Sequence, residues 1–236
     1  MVGIYKGSTQ IKKIYKGSTM IKAVYKGSTK VWEIMANGTK VLNKTAAGSG
    51  SFTITVPGIY RLRVVGGGGG CATKWYSTGD PRRYKIGGGG GGGYATGRWK
   101  FAAGDVLTWQ VGAGGGISSG GPGEAGGQSF IKKGSTTLVS ANGATAPGYP
   151  ENGDHSTGGT ASVASSAISG SSTATAGGDG KTYEYKSSTV SSYTNTIGKS
   201  AYGNYGKGAA GYASTGSTID VKTNSTAGCA IIEWSE

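Results

Sequence analysis

The chain runs Arg61-Leu62-Arg63-Val64-Val65-Gly66-Gly67-Gly68-Gly69-Gly70-Cys71, an alternating strand pattern that passes straight into five glycines. A second run, Gly87 to Gly93, leads into Tyr94-Ala95-Thr96-Gly97-Arg98-Trp99-Lys100-Phe101. Ordering glycine loses more backbone freedom than ordering any other residue. Such runs can be ordered when extended glycine segments lie side by side, each N–H and C=O bonded to a neighbour. Backbones come that close only where side chains are missing. The alternative is a set of flexible glycine linkers between small β units.

The composition agrees with a glycine-dependent fold. Glycine fills 49 of 236 positions, about three times its usual share. Leu, Ile, Val and Phe total 35, below the roughly 20% under which a charged chain is expected to stay disordered. A helical bundle, a membrane-spanning protein and a compact α/β enzyme are all poor fits. The expectation is an all-β chain, ordered in part by assembly with copies of itself. No apolar run reaches about 18 residues, so no membrane insertion is expected. Met1-Val2-Gly3-Ile4-Tyr5-Lys6 lacks the apolar core of a signal peptide, which predicts a product made in the cytoplasm. Cys71 and Cys229 are too few for a disulfide framework. One bridge between them is conceivable if their strands are neighbours, and two buried thiols are the expected state.

Before the glycines comes a repeat. Ile4-Tyr5-Lys6-Gly7-Ser8-Thr9, Ile14-Tyr15-Lys16-Gly17-Ser18-Thr19 and Val24-Tyr25-Lys26-Gly27-Ser28-Thr29 follow one another at ten-residue spacing, with a decayed fourth copy at 34–39. Lys-Gly-Ser is turn chemistry, and the residues between the turns favour strands. Each unit therefore reads as one short strand and one tight turn. Strands this short need a partner, so residues 1–44 are read as an attachment or oligomerisation module. Its expected assembly contacts are Tyr5, Tyr15, Tyr25, Ile11, Ile21 and Val31. A meander capping the main domain is the competing reading. Residues 45–50 read as a linker, and 51–236 as a glycine-rich β domain, with strands at Phe52–Val56 and Ile59–Val65 around Pro57-Gly58.

Phe52-Thr53-Ile54-Thr55-Val56-Pro57, Arg63-Val64-Val65 entering polyglycine, Gly93-Tyr94-Ala95, Leu107-Thr108-Trp109-Gln110-Val111-Gly112-Ala113-Gly114-Gly115 and Ala230-Ile231-Ile232-Glu233-Trp234 form an ordered set. That set resembles the glycine-rich domain of bacteriophage tail-fibre and receptor-binding proteins. The Tyr-Lys-Gly-Ser-Thr unit is also similar to repeats of phage structural proteins. The Ser/Thr/Ala-rich stretch 156–218 departs from the pattern. The resemblance implies polyglycine II packing with loops displayed at one end, a homotrimer, other virion proteins bound through residues 1–44, and exposure on the particle surface. It also implies attachment to a host surface glycan or outer-membrane protein. A head-fibre, capsid-decorating or collar protein with only an architectural role is a second reading. A bacterial surface carbohydrate-binding module is a third.

Aromatic residues mark the candidate display loops. The candidate receptor contacts are Trp75, Tyr76, Arg82, Arg83, Tyr84, Tyr149, Tyr183, Tyr185, Tyr193, Tyr202, Tyr205 and Tyr212. Tyrosine among Ser, Gly and Asn gives contact area at low rotamer loss, as in adaptable binding loops. Packing of glycine segments, or contact with other chains, is the competing use of the same residues.

No enzyme chemistry is expected, and no metal or cofactor. Gly198-Lys199-Ser200 lacks the earlier glycine of a phosphate loop, where Tyr193 stands. His155 beside Asp154 is a single histidine, and the acids Glu124, Glu151 and Asp179 are not paired for acid–base work. The net charge of +13 is concentrated in residues 1–44, with nine Lys against Glu33. The lysines fall at regular positions within strands, where they discourage edge aggregation. A ladder along nucleic-acid phosphates is an unfavoured alternative, since no base-reading motif accompanies it.

Overall fold

The computed structural model describes residues 5–6, 9–10, 14–16, 19–21, 23–26, 29–33, 35–76, 83–116, 118–119, 122–148, 155–186, 192–194, 198–199, 202–214 and 219–235. They form strands, turns and extended segments, with no helix among them.

Each of the three full copies of the repeat closes on itself. β1 (Tyr5–Lys6) pairs with β2 (Thr9–Gln10), β3 (Ile14–Lys16) with β4 (Thr19–Ile21), and β5 (Ala23–Lys26) with β6 (Thr29–Glu33). Lys6, Lys16 and Lys26 face Thr9, Thr19 and Thr29 across each pair. The unit is thus a hairpin of two strands, not a single strand and turn, because a two-residue Gly-led connection lets the chain fold straight back. Ile11 lies outside the described residues.

The rest of the chain shuttles between two levels. β7 (Lys40–Lys44), β8 (Gly48–Thr53) and β9 (Gly58–Val65) lie in a sandwich, and β10 (Ala72–Tyr76) and β11 (Arg83–Gly87) lie beyond it. β12 (Tyr94–Phe101) and β13 (Val106–Val111) return to the sandwich, while β14 (Ser118–Ser119) is beyond. β15 (Ser129–Lys133), β16 (Thr136–Ala141), β17 (Ala161–Val163) and β18 (Thr173–Thr175) are in the sandwich. β19 (Thr182–Lys186), β20 (Ser192–Thr194), β21 (Ala210–Ser214) and β22 (Ile219–Thr223) are beyond, and β23 (Cys229–Trp234) closes the sandwich.

Ten strands make two antiparallel sheets, in the orders β18-β12-β9-β23-β7 and β17-β16-β15-β13-β8. Alternation drives their packing. Tyr60, Leu62 and Val64 of β9 and Ala95, Trp99 and Phe101 of β12 turn inward, against Leu107, Val111, Ile131 and Val139 of the other sheet. Tyr60 donates its hydroxyl to the Val56 carbonyl at 2.6 Å and meets Trp234 edge-on at 5.0 Å. Two boundaries differ from the sequence reading. Residues 40–44 pair with β23 and belong to the sandwich, not to the repeat module. The strand expected at 52–56 is Gly48–Thr53, which absorbs the supposed linker. Trp109 explains the shift, since a Cβ on Gly50 would stand 2.9 Å from its ring. Only glycine lets β8 run flat under that indole.

Between the two levels runs the lattice of extended backbone. Ten segments alternate away from and back toward the sandwich, around 66–70, 88–93, 112–116, 123–127, 142–147, 156–160, 176–180, 198–199, 206–209 and 224–228. Gly66 and Gly69 donate to Gly93 and Gly90, Gly67 and Gly70 donate to Gly127 and Glu124, and Gly68 donates to Thr226. Every third N–H thus meets the same neighbour, as in a threefold extended helix. The carbonyls of Gly67, Gly68 and Gly69 accept from Ala144, Gly115 and Ala209. Segment 66–70 therefore has six neighbours, three antiparallel ones that it donates to and three parallel ones that donate to it. Segment 88–93 has six as well. Gly88 and Gly91 donate to Lys181 and Gly178, Gly89 and Gly92 to Ala209 and Gly206, and Gly93 to Asn142. It accepts from Ser156 and Gly159, from Gly66 and Gly69, and from Gly198.

This explains where the unbroken glycine runs fall. The two inner segments are surrounded on every side, and residues 66–70 and 87–93 are all buried. A Cβ on Gly68 would overlap the Lys207 carbonyl, and one on Gly70 the Gly116 carbonyl. None of these glycines has positive φ, so space rather than dihedral freedom selects them. The outer segments need a missing side chain only on the turn that faces inward. Gly112 and Gly115, Ala144 and Pro147, and Ser156 and Gly159 are buried three residues apart, with exposed residues between. Every hydrogen-bonded neighbour of both inner segments belongs to the same chain, so these backbone bonds are intramolecular. Alanine in place of Gly68 should therefore abolish folding or remove more than about 4 kcal/mol. Gly178→Ala, whose Cβ would meet nothing nearer than 3.3 Å, should shift the melting temperature far less. Thermal denaturation of the two variants compares them directly.

Candidate functional site

At about 3.1 Å per residue, the five residues 66–70 lift the far ends of the segments roughly 15 Å from the sandwich. Among the described residues, strands β10, β11, β14, β19, β20, β21 and β22 are held there. β10, β11, β14 and β19 pair in one sheet of order β14-β10-β11-β19, and β20, β21 and β22 in another. The chain enters the sandwich at the opposite end, where Lys40 pairs with Glu233 and Gly38 donates to the Trp234 carbonyl.

Most candidate receptor residues lie on the far strands. Trp75, Tyr84 and Tyr185 occupy one row across β10, β11 and β19. Tyr183, opposite Ile86, is two positions along from Tyr185, so strand alternation puts it on the same face. Tyr76 and Arg83 are paired one position away, on the other face. Tyr193 stands opposite Ala213 on β21, and Tyr212 opposite Thr194 on β20. These residues, from five separate strands, are brought to one end of the molecule. Arg82 and Tyr149 lie outside the described residues.

Tyr202 and Tyr205 are elsewhere. Their turn, 202–206, is at the sandwich end of the lattice, where Gly206 adopts φ +64° and donates to the Ala227 carbonyl. Tyr202 stacks on Tyr94 with centroids 4.8 Å apart and on Tyr205 at 6.4 Å, and its hydroxyl accepts from Arg63 at 3.2 Å. Together they cover Val65, Cys229 and Ile231 on the outer face of β9 and β23. Burial pushes the Tyr94 phenol pKa up, against the opposing pull of the Thr96 hydrogen bond and the Arg63 charge. A tyrosine count along 156–218 could not separate these two from the rest. The Gly203-Asn204-Tyr205-Gly206 turn, coming midway between glycine segments, was the signal that the chain had returned to the sandwich.

Cys71 and Cys229 are buried free thiols. Cys229 pairs with Val65, and Cys71 lies six extended residues beyond it, about 19 Å along the segment at the polyproline II rise. A disulfide needs Cα atoms within about 7 Å. Burial pushes the thiols up from 9.0 to about 11 for Cys71 and about 12 for Cys229. Among the described residues no group of His, Cys, Asp and Glu is arranged to hold a metal ion, and no helix is long and apolar enough to cross a membrane. Compared with protein-family models and with curated proteins, the chain matches none.

The thiol environment sets an alkaline limit. Below pH 9 both folded and unfolded thiols are protonated. As pH rises through 9 the unfolded thiols ionise first, so stability falls progressively until the folded values near 11 and 12 are reached. Replacing both with alanine or serine should flatten the decline between pH 9 and 11 in denaturant melts. A disulfide reagent at pH 7.5 should label neither thiol in the native protein and both after denaturation.

Proposed function

We propose that the chain is a bacteriophage virion protein, a tail-fibre or tail-tip component that attaches the particle to the host surface. The observation that supports this best is polarity. A lattice bonded through its backbone carries two small sheets at one end, while the chain enters the sandwich at the other. Binding residues on loops held by a rigid scaffold are a common arrangement, and a stiff base lowers the ordering loss on binding. In this reading residues 1–44 join the protein to its particle, and Trp75, Tyr84, Tyr183 and Tyr185 contribute to the surface that meets the host. The resemblance of the glycine-bounded strands to phage receptor-binding proteins points the same way.

Purified, fluorescently labelled protein should bind saturably to cells of a susceptible host and select between strains. The variant carrying Trp75→Ala, Tyr84→Ala and Tyr185→Ala should bind at least about tenfold more weakly, the size expected when aromatic anchors are truncated. Tyr205→Phe, at the sandwich end, should bind normally. Equal binding by the triple variant, with its melting temperature maintained, would remove the host-contact role from this sheet.

A further inference from the structure

The outer face of β9 and β12 carries charge that the fold does not neutralise. Arg61 and Arg63 alternate with the inward Tyr60, Leu62 and Val64, and Arg98 and Lys100 with the inward Trp99 and Phe101. Register sets Arg98 directly opposite Arg61, and like charges so placed repel. Arg63 has a remedy, since its Nη1 donates to Glu233 Oε2 at 2.9 Å and to the Tyr202 hydroxyl. Glu233 is the strand partner of Arg61, yet its carboxylate is bonded to Arg63. Among the described residues neither Arg61 nor Arg98 has an acid partner, and Arg98 Nε is buried without an acceptor. The Ser171 hydroxyl lies close by but accepts from the Arg98 main-chain N–H. Lys100 adds an exposed charge to the same row of β12, and Lys40 flanks Glu233 on β7.

We propose that Arg61 and Arg98 form a carboxylate-recognition site, on which an acidic segment of a partner protein docks. A guanidinium fork matches a carboxylate in two parallel hydrogen bonds, and an acid docked on the Nη groups of Arg61 and Arg98 would screen the Arg61–Arg98 repulsion. The surroundings fit the sign of such a partner. Among the described residues Glu233 is the one acid beside five cations on this face, and the sequence of residues 1–44 carries a net +8. The site is set apart from the far strands. It rests on the proposed function only in assigning the acidic partner to the virion.

The test uses the full chain and a fluorescein-labelled decaglutamate peptide, with anisotropy read at roughly 50 mM salt, where screening is still weak. Arg61→Gln with Arg98→Gln should weaken binding about tenfold or more, the loss expected for charged hydrogen bonds. The control, Lys181→Gln with Lys199→Gln, removes two exposed lysines from the lattice surface and should change affinity less than about twofold. Arg98→Gln alone should melt no lower than the parent, because it relieves the repulsion; that also certifies folding. The proposal is overturned if the control loses as much as the arginine variant, if the peptide does not bind, or if duplex DNA binds more tightly with the same arginine dependence. Loss of cell binding with peptide binding retained would count against the host-attachment reading and leave this site standing.

Discussion

The structure depends on the way five consecutive glycines distribute their backbone hydrogen bonds. Because an extended threefold chain turns by a third of a revolution per residue, the N–H groups of Gly66, Gly67 and Gly68 point to three different neighbours, and Gly69 and Gly70 start the cycle again. A strand could satisfy only two neighbours. Six-fold surrounding is what allows a chain poor in aliphatic residues to bury most of its polar backbone with partners. Yet a hydrogen bond nets only about 1 kcal/mol, while fixing a residue's backbone takes about 1–2 kcal/mol. The lattice therefore does not stand on its bonds alone. The sandwich supplies what is missing, since it clamps the near ends of successive segments with an aliphatic and aromatic core.

That division of labour makes the molecule directional. The sandwich packs as ordinary antiparallel sheets do, and its loops at the lattice end are replaced by backbone that cannot bend independently. Whatever stands on the far strands is presented on a base bonded in three directions. Sequence variation there need not disturb the base, because the contacts that order the lattice are made by main chain and by residues no larger than its inward turns admit. Positive charge follows the same axis. The outer face of β9 and β12 is basic at the sandwich level, and the row of Trp75, Tyr84 and Tyr185 lies beyond the lattice.

Much of this was legible in the residues, for physical reasons that differ from place to place. Alternation in Ile59–Val65 and Tyr94–Phe101 marked half-exposed strands, and the two pure glycine runs marked the inner segments, because full enclosure forbids any Cβ. The outer segments were harder to see. In Gly123-Glu124-Ala125-Gly126 and Ser156-Thr157-Gly158-Gly159 the constraint acts on one residue in three, so they read as polar loops. The same applies across 156–218, where four lattice segments pass through what looked like a featureless stretch. Strand limits at 40–53 were obscured by Gly48 and Gly50, which break a propensity pattern, although Gly50 seats the Trp109 ring. Tyr202 and Tyr205 share the composition of the far loops and pack at the base, a distinction that only the up-and-down path of the chain can make.

Amide hydrogen exchange followed by NMR tests the central claim most directly. In the six-neighbour arrangement the N–H groups of Gly66 to Gly70, and of Gly88, Gly89 and Gly91 to Gly93, should exchange only through global unfolding, as slowly as those of Leu62 and Val64. Exchange of these glycine amides within the dead time, with Leu62 and Val64 still protected, would mean that the runs are flexible linkers between β units and that the lattice does not exist.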